Sequence, residues 1–246
     1  MSAPLDPSSA TTLLCDADGT LFPSEEPAYA ASADVTNRFL ATLGADRPYT
    51  ATELQRMTNG KNFRGAATEL AAGYGRTLVP AELDRWVAEE KDVVTAHLRT
   101  ALRPDPSVDQ PLRRLAGHFR LAAVTSSALS RLDTCLEVTG LAPLFPAELR
   151  FSAEDSLAVP TSKPDPAVYA LAGERLGITP DEGVAVEDSV NGMLSAVAAG
   201  YRTVGFVGFV PAEDREQRVL ALQEAGATAV VSSWPELADL LLPVRL

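Results

Sequence analysis

Short apolar runs recur along this chain, and helical patterns separate them. The first run covers residues 11–15, and after residue 100 similar runs predict strands at 121–124, 149–152, 184–186, 203–207 and 228–231. Apolar positions at helical spacing predict helices at 129–136, 165–176 and 190–199, of which the last two are followed by Gly177 and Gly200. Strands that alternate with helices form a parallel sheet covered by helices on both faces. The predicted fold class is therefore α/β.

The segment from residue 27 to residue 99 has a different pattern. Its apolar positions predict helices at 32–43, 51–57, 62–72 and 81–98, and none of its runs is a convincing strand. Because this segment interrupts the α/β pattern directly after the first strand, we interpret it as a helical insertion. The expected organisation is an α/β catalytic core of residues 1–26 and 100–246, with a small α-helical cap domain at 27–99.

The chain is acidic, with a formal net charge of −12 over 246 residues. This charge argues against nucleic acid or a membrane as a partner, because it provides no general attraction to phosphate backbones or anionic lipids. No apolar run is long enough to span a membrane, and residues 1–9 lack the pattern of a secretory signal. Cys15 and Cys135 have no metal-ligand spacing, and we expect buried thiols in a reducing, cytoplasmic environment. An anionic substrate would need a local cation, which a metal ion could supply.

The candidate chemistry begins at the end of the first apolar run, where Asp16 and Asp18 precede Gly19. Carboxylates at positions i and i+2 of an extended strand point to the same side. Such a pair can bind Mg²⁺ and divide the roles of nucleophile and general acid/base. The alternative is a strand followed by an ordinary Asp-Gly turn.

Two further predicted strands also end in polar clusters. Residues 125–127 (Thr-Ser-Ser) follow the second strand, and residues 187–189 (Glu-Asp-Ser) follow the strand at 184–186. Parallel sheets bind ligands at the carboxyl ends of their strands. The three clusters therefore predict one shared site at this edge of the sheet.

Four segments resemble the signatures of the haloacid dehalogenase superfamily, and they occur in the family order. They are residues 13–22 (LLCDADGTLF), Thr125, Lys163 within residues 162–166 (SKPDP), and residues 186–189 (VEDS) with Gly192. The resemblance implies a Rossmann-like core. The insertion after the first signature is similar to the cap of the subfamily that contains β-phosphoglucomutase and phosphoglycolate-type phosphatases.

The resemblance also implies a role for each signature residue. Asp16 would attack phosphorus and form an aspartyl-phosphate, and Asp18 would protonate the leaving oxygen and later activate water. The Mg²⁺ site would consist of Asp16, the backbone carbonyl of Asp18, Asp188 and Glu187, which either ligates the metal directly or holds a metal-bound water. Thr125 and Lys163 would bind phosphoryl oxygens, and Ser126 would contact the substrate.

Each of these residues also has a simpler interpretation when taken alone. Thr125 could be a turn residue, Lys163 a solvated surface lysine, and the pair at 187–188 a cap for the following helix. These interpretations fail together, because one parallel sheet would bring all four signatures to the same edge.

Three functions are compatible with this sequence. Asp18 argues against a dehalogenase or a phosphonate hydrolase, since this family's dehalogenases lack that acid and its phosphonate hydrolases typically carry an alanine there. Residues 23–29 contain no histidine, whereas known β-phosphoglucomutases carry one shortly after the first signature. The favoured function is therefore a Mg²⁺-dependent phosphatase that hydrolyses a small phosphorylated metabolite. A sugar phosphomutase and a catalytically inactive phospho-ligand-binding protein are the alternatives, and we expect a monomer or a small homo-oligomer.

The insertion offers candidates for substrate recognition. Residues 58–64 resemble the substrate-facing loop of such caps, and Lys61 and Arg64 could bind a second anionic group. A solvated helix start is the alternative. We also expect the cap to close over the core and exclude water from the transferring phosphoryl group.

Overall fold

The computed structural model describes residues 9–58 and 62–242 of the chain. These residues form two compact units. One unit comprises the described residues up to Pro23 together with those from Arg103 onward, and the other is Ser24–Leu102.

The first unit contains a six-stranded sheet in the order β3-β2-β1-β4-β5-β6. Every pair of neighbouring strands is parallel. The strands are β1 (Thr12–Cys15), β2 (Arg120–Thr125), β3 (Arg150–Ser152), β4 (Gly183–Glu187), β5 (Arg202–Phe206) and β6 (Ala229–Val231). The strand order reverses beside β1, which places the carboxyl ends of β1, β2 and β4 next to one another. Ligands of open α/β sheets bind at such a switch point.

Six α-helices belong to the same unit within the residues that the structure describes. They are α5 (Pro106–Ala116), α6 (Leu129–Thr139), α7 (Ala167–Leu176), α8 (Val190–Ala198), α9 (Arg215–Glu224) and α10 (Trp234–Leu241). All four residues of β1 and all five of β4 are buried, as expected for central strands covered on both faces. One apolar cluster joins Leu14, Val124 and Ala185 of the sheet to Val168 and Ala196 of α7 and α8. These observations confirm the predicted Rossmann-like α/β fold.

Within its described residues, the second unit has α-helices and no strand. It consists of α1 (Glu25–Leu43), α2 (Ala51–Thr58), α3 (Phe63–Gly73) and α4 (Pro80–Ala101). Its own core packs Phe39 edge-on against Trp86, with ring centroids 5.6 Å apart, and includes Val35, Leu54 and Leu70. A separate apolar core explains why this segment forms a compact unit of its own.

Several helix boundaries differ from the predictions. Helix α1 begins at Glu25 rather than residue 32. Pro27 is compatible with this earlier start because it lies in the first turn, where the N–H groups have no partner within the helix. Helix α7 begins at Ala167 rather than residue 165, because the Asp165 side chain accepts a hydrogen bond from the Ala167 amide and forms a local turn. Within the described residues, no helix combines the length and apolar character needed to cross a membrane.

Candidate active site

Asp16 lies immediately after β1 and starts a tight turn. Its amide donates to the carbonyl of Val186 on the neighbouring strand β4 (2.9 Å), which continues the sheet to the carboxylate. The amides of Thr20 and Leu21 then donate back to the carbonyl of Ala17. The Asp16 carboxylate is therefore held at the switch point and is only 6% exposed.

Gly19 allows a second carboxylate to approach this turn. Its φ is +82°, a conformation that side-chain-bearing residues rarely adopt. A Cβ at this position would lie 2.3 Å from Asp188 Oδ2. The predicted Asp-Gly turn thus brings the backbone of residue 19 directly against the carboxylate that follows β4.

Lys163 links the carboxylates of two strands. Its Nζ donates to Asp16 Oδ1 (2.5 Å), to Glu187 Oε1 (2.6 Å) and to the carbonyl of Val124 (2.8 Å). Lys163 is buried, so the interpretation as a solvated surface lysine is wrong. Three hydrogen bonds use all the donors of the ammonium group.

Burial and charge perturb these groups strongly. Burial, partly offset by Lys163, raises the pKa of Asp16, and burial together with the Asp16 charge raises the pKa of Glu187 to about 8. Burial alone would lower the pKa of Lys163, but the charges of Asp16 and Glu187 outweigh it and raise that pKa. One ammonium therefore pairs with two buried carboxylates, and a further cation would offset their excess negative charge.

The loop after β2 contributes the remaining predicted residues of the core. Ser127 Oγ donates to Asp18 Oδ2 (2.8 Å), which fixes the second carboxylate of the first signature. The hydroxyl of Thr125 accepts from the Ser127 amide (3.0 Å), and the hydroxyl of Ser126 accepts from the Lys163 amide (3.1 Å). The loop that follows Thr125 is thus hydrogen-bonded directly to the first signature through Ser127 and to the third through Ser126.

Three of the carboxylates can hold a cation together. One oxygen each from Asp16, Glu187 and Asp188 lies within 4.8 Å of the others, and all three residues are buried. Glu187 Oε2 is also buried and has no hydrogen-bond partner among the described residues. Hard cations such as Mg²⁺ prefer oxygen ligands of this kind, so the donor set fits the predicted metal.

Arg218 of α9 also contacts this cluster, and the sequence analysis missed it. Its Nη1 donates to the backbone carbonyl of Asp188 (2.8 Å) and lies 3.8 Å from Asp188 Oδ2. Helix α9 is largely polar and buries only Leu222, which leaves little apolar periodicity to detect. Only the folded chain brings this guanidinium to the loop after β4.

Lys61 and Arg64, the two residues that were predicted to bind substrate, belong to the helical insertion. Lys61 lies outside the described residues. Arg64 belongs to the helical unit, where its Nη1 pairs with Asp84 Oδ1 of α4 at 2.8 Å. A role of either residue in substrate recognition stays a prediction.

The chain also matches known proteins. The profile of the haloacid dehalogenase-like hydrolase family matches residues 10–200, which include all four signatures. The chain belongs to this family. The predicted family is confirmed, as is the predicted enzyme class, a phosphoric monoester hydrolase.

Relatives of this haloacid dehalogenase-like hydrolase span nearly its whole length. Protein CbbY of Cereibacter sphaeroides is 30% identical and covers 93% of this chain and 94% of its own length. Phosphoglycolate phosphatase of Psychrobacter arcticus is 28% identical, with coverage of 94% and 95%. A family hydrolase from Deinococcus radiodurans is 28% identical in sequence, and its crystal structure contains bound phosphate and sodium. The match covers 96% of this chain and 100% of that chain, with a TM-score of 0.63.

Gly192 of this hydrolase gives a first testable prediction. A Cβ at this position would lie 1.7 Å from Glu187 Oε2, and the Glu187 carboxylate is itself held by Lys163. We expect Gly192→Ala to lower the free energy of unfolding by about 1–3 kcal/mol, as overpacking of a buried site does. Denaturant unfolding measures this change.

A second helical glycine serves as the matched control. A Cβ added to Gly73, the last residue of α3, meets no atom within 4 Å. Gly73→Ala should be neutral or stabilise by up to about 1 kcal/mol. If Gly192→Ala and Gly73→Ala changed the free energy of unfolding equally, the Glu187 side chain would be able to move away from residue 192. That result would contradict a rigidly held Glu187 carboxylate.

Proposed function

We propose that this protein is a Mg²⁺-dependent phosphatase that hydrolyses a small phosphorylated metabolite through a phosphorylated Asp16. One observation carries the proposal. The Asp16 carboxylate is buried at the switch point of the sheet, with the ammonium of Lys163 on one oxygen and the carboxylates of Glu187 and Asp188 close by. This arrangement combines a nucleophile with an anion-binding cation and a set of oxygen ligands for Mg²⁺.

Two carboxylates of the first signature have different surroundings, which suits two different roles. Asp16 faces the ammonium of Lys163 and serves as the nucleophile, because an ionised carboxylate needs no base. The Asp18 carboxylate accepts a hydrogen bond from the neutral hydroxyl of Ser127, and Asp18 serves as the acid/base. It donates a proton to the leaving oxygen and then takes one from the water that attacks the phosphorylated Asp16.

The other groups stabilise the negative charge of the transferring phosphoryl group. When substrate binds, the Lys163 ammonium exchanges one of its three hydrogen bonds for a phosphoryl oxygen, and the hydroxyl of Thr125 lies at the same edge of the sheet. Asp16, Glu187 and Asp188, with the backbone carbonyl of Asp18, would hold Mg²⁺. When bound, Mg²⁺ adds positive charge beside the phosphoryl oxygens, where the carboxylates alone would repel the substrate.

The relatives support the substrate class. One is named a phosphoglycolate phosphatase, and the solved relative from Deinococcus radiodurans contains bound phosphate. The anion-binding groups assigned to this site would be one lysine, one threonine and the cation held by the carboxylates, which suits a small phosphate monoester. The net charge of −12 agrees with recognition by these local groups rather than by the general surface.

The proposal is tested by phosphate release from a panel of phosphorylated sugars and small phosphorylated acids. We expect turnover of at least one ester with Mg²⁺ and none with excess chelator, with recovery when Mg²⁺ is restored. Full activity in chelator would refute the metal site. Conversion of a sugar phosphate to an isomer without phosphate release would identify a mutase, and binding of esters without any turnover would identify a phospho-ligand-binding protein.

A further inference from the structure

Tyr169 is a fully buried tyrosine of α7 whose hydroxyl reaches the acidic cluster. The hydroxyl donates to Glu187 Oε1 at 2.5 Å, across 18 positions of sequence. Most of the side chain lies in the apolar cluster between the sheet and helices α7 and α8. Tyr169 therefore spans the distance between the hydrophobic core and the carboxylates at the end of the sheet.

The same oxygen of Glu187 accepts a second hydrogen bond. Lys163 Nζ donates to Oε1 at 2.6 Å, and this ammonium also lies 5.2 Å from the centroid of the Tyr169 ring, in a cation–π arrangement. Oε1 is thus held from two sides, while Oε2 lies against Gly192 and has no hydrogen-bond partner in the part of the chain that is described. Two donors on one oxygen restrict the rotation of the carboxylate plane.

We propose that Tyr169 is a positioning residue, which orients the Glu187 carboxylate for Mg²⁺ binding through its hydroxyl. The inference rests on the proposed Mg²⁺-dependent function and adds a residue to it. Groups that hydrogen-bond to metal ligands fix their orientation, and their loss typically weakens metal binding by about 10–100-fold. Lys163 alone does not replace the hydroxyl, because its ammonium is shared with Asp16 and Val124.

The test is Tyr169→Phe, which removes the hydroxyl and retains the ring and its contact with Lys163. Titration calorimetry with MgCl₂ measures the affinity directly. We expect the Kd for Mg²⁺ to rise by about 10-fold or more. Phosphatase activity at limiting Mg²⁺ should fall, and it should recover at saturating Mg²⁺.

Tyr201→Phe is the matched control. Tyr201 belongs to the same buried cluster, and its ring centroid lies 6.1 Å from that of Tyr169. Its hydroxyl lies beside Gly173 of α7, since a Cβ added there would be 2.1 Å from the hydroxyl oxygen. This variant loses a buried hydroxyl from the same core, so an unchanged Mg²⁺ affinity would separate positioning of Glu187 from a general loss of packing.

A double-mutant cycle with Glu187→Ala tests whether Tyr169 acts through Glu187. In the Glu187→Ala background, which has no acceptor for the Tyr169 hydroxyl at this position, Tyr169→Phe should change the Mg²⁺ affinity by no more than about twofold. A wild-type Mg²⁺ affinity in Tyr169→Phe, or an equal loss of affinity in Tyr201→Phe, would overturn the positioning role of Tyr169. Neither result would overturn the proposed function. Absence of Mg²⁺ binding and Mg²⁺-dependent turnover in the wild-type protein would instead overturn the proposed function together with this inference.

Discussion

Asp16→Asn is expected to abolish turnover while the protein stays folded. The amide has nearly the size of the carboxylate but cannot attack phosphorus, so the covalent route is lost. We expect kcat to fall by at least about a thousandfold, the scale seen when a nucleophile is removed. The fold should survive, because Lys163 keeps its hydrogen bonds to Glu187 and Val124. Steady-state phosphate release and thermal unfolding measure the two effects.

The control for this variant is Asp133→Asn, the same substitution at another ion-paired aspartate of the core. Asp133 Oδ1 pairs with Arg150 Nη1 at 2.6 Å, and the Asp133 side chain is half exposed. Its activity should match the wild type, because Asp133 pairs with Arg150 and not with the lysine of the proposed site. If Asp16→Asn retained more than about a thousandth of the wild-type activity, Asp16 would not be the nucleophile.

Lys163→Met should damage both activity and stability. The variant leaves Asp16 and Glu187 buried without their shared cation, and both carboxylates are less than 10% exposed. Removal of one partner from a buried ion pair typically costs about 3–5 kcal/mol of folding free energy. We also expect kcat/KM to fall by about 100–1,000-fold, since a charged donor to the phosphoryl group is lost. Denaturant unfolding and phosphate-release kinetics measure these changes.

The double variant Asp16→Asn/Lys163→Met isolates the electrostatic part of the stability loss. It retains one of the two carboxylates that pair with Lys163, whereas Lys163→Met retains both, so it should regain part of the lost free energy of unfolding. Lys91→Met, on α4 of the helical unit, is the matched control for loss of a lysine and should be close to wild type in both measurements. Equal stability of the double variant and Lys163→Met would contradict the coupling of Lys163 to Asp16.

The sheet and its functional edge could be predicted because their signals are local. A short apolar run followed by Asp16, Thr125 or Glu187 identifies both a buried strand and the polar residue at its end. Parallel pairing then brings these strand ends together, as the register of β1 with β2 and β4 shows. Helices α5, α9 and α10 were not predicted, because prolines at 106, 111 and 235 and the polar surface of α9 obscure their periodicity.

Apolar runs and helical periodicity do not predict contacts between segments that are far apart in the chain. Lys163 and Asp16 are 147 positions apart, and Arg218 reaches a carbonyl 30 positions away. In the sequence, Tyr169 is an aromatic residue on the apolar side of a helix, where a core role is the usual interpretation. Periodicity identifies the face of an element that is buried, but it does not identify the neighbour that this face meets.

The sequence by itself therefore determined the family, the α/β core with its helical insertion, and the residue types at the strand ends. Only the tertiary structure decided that Lys163 is buried between two carboxylates, that Ser127 holds Asp18, and that Tyr169 holds Glu187. The physical reason is that backbone propensity and apolar spacing act over a few residues. The charges and hydrogen bonds of the site are instead set by packing between strands and helices far apart in the chain.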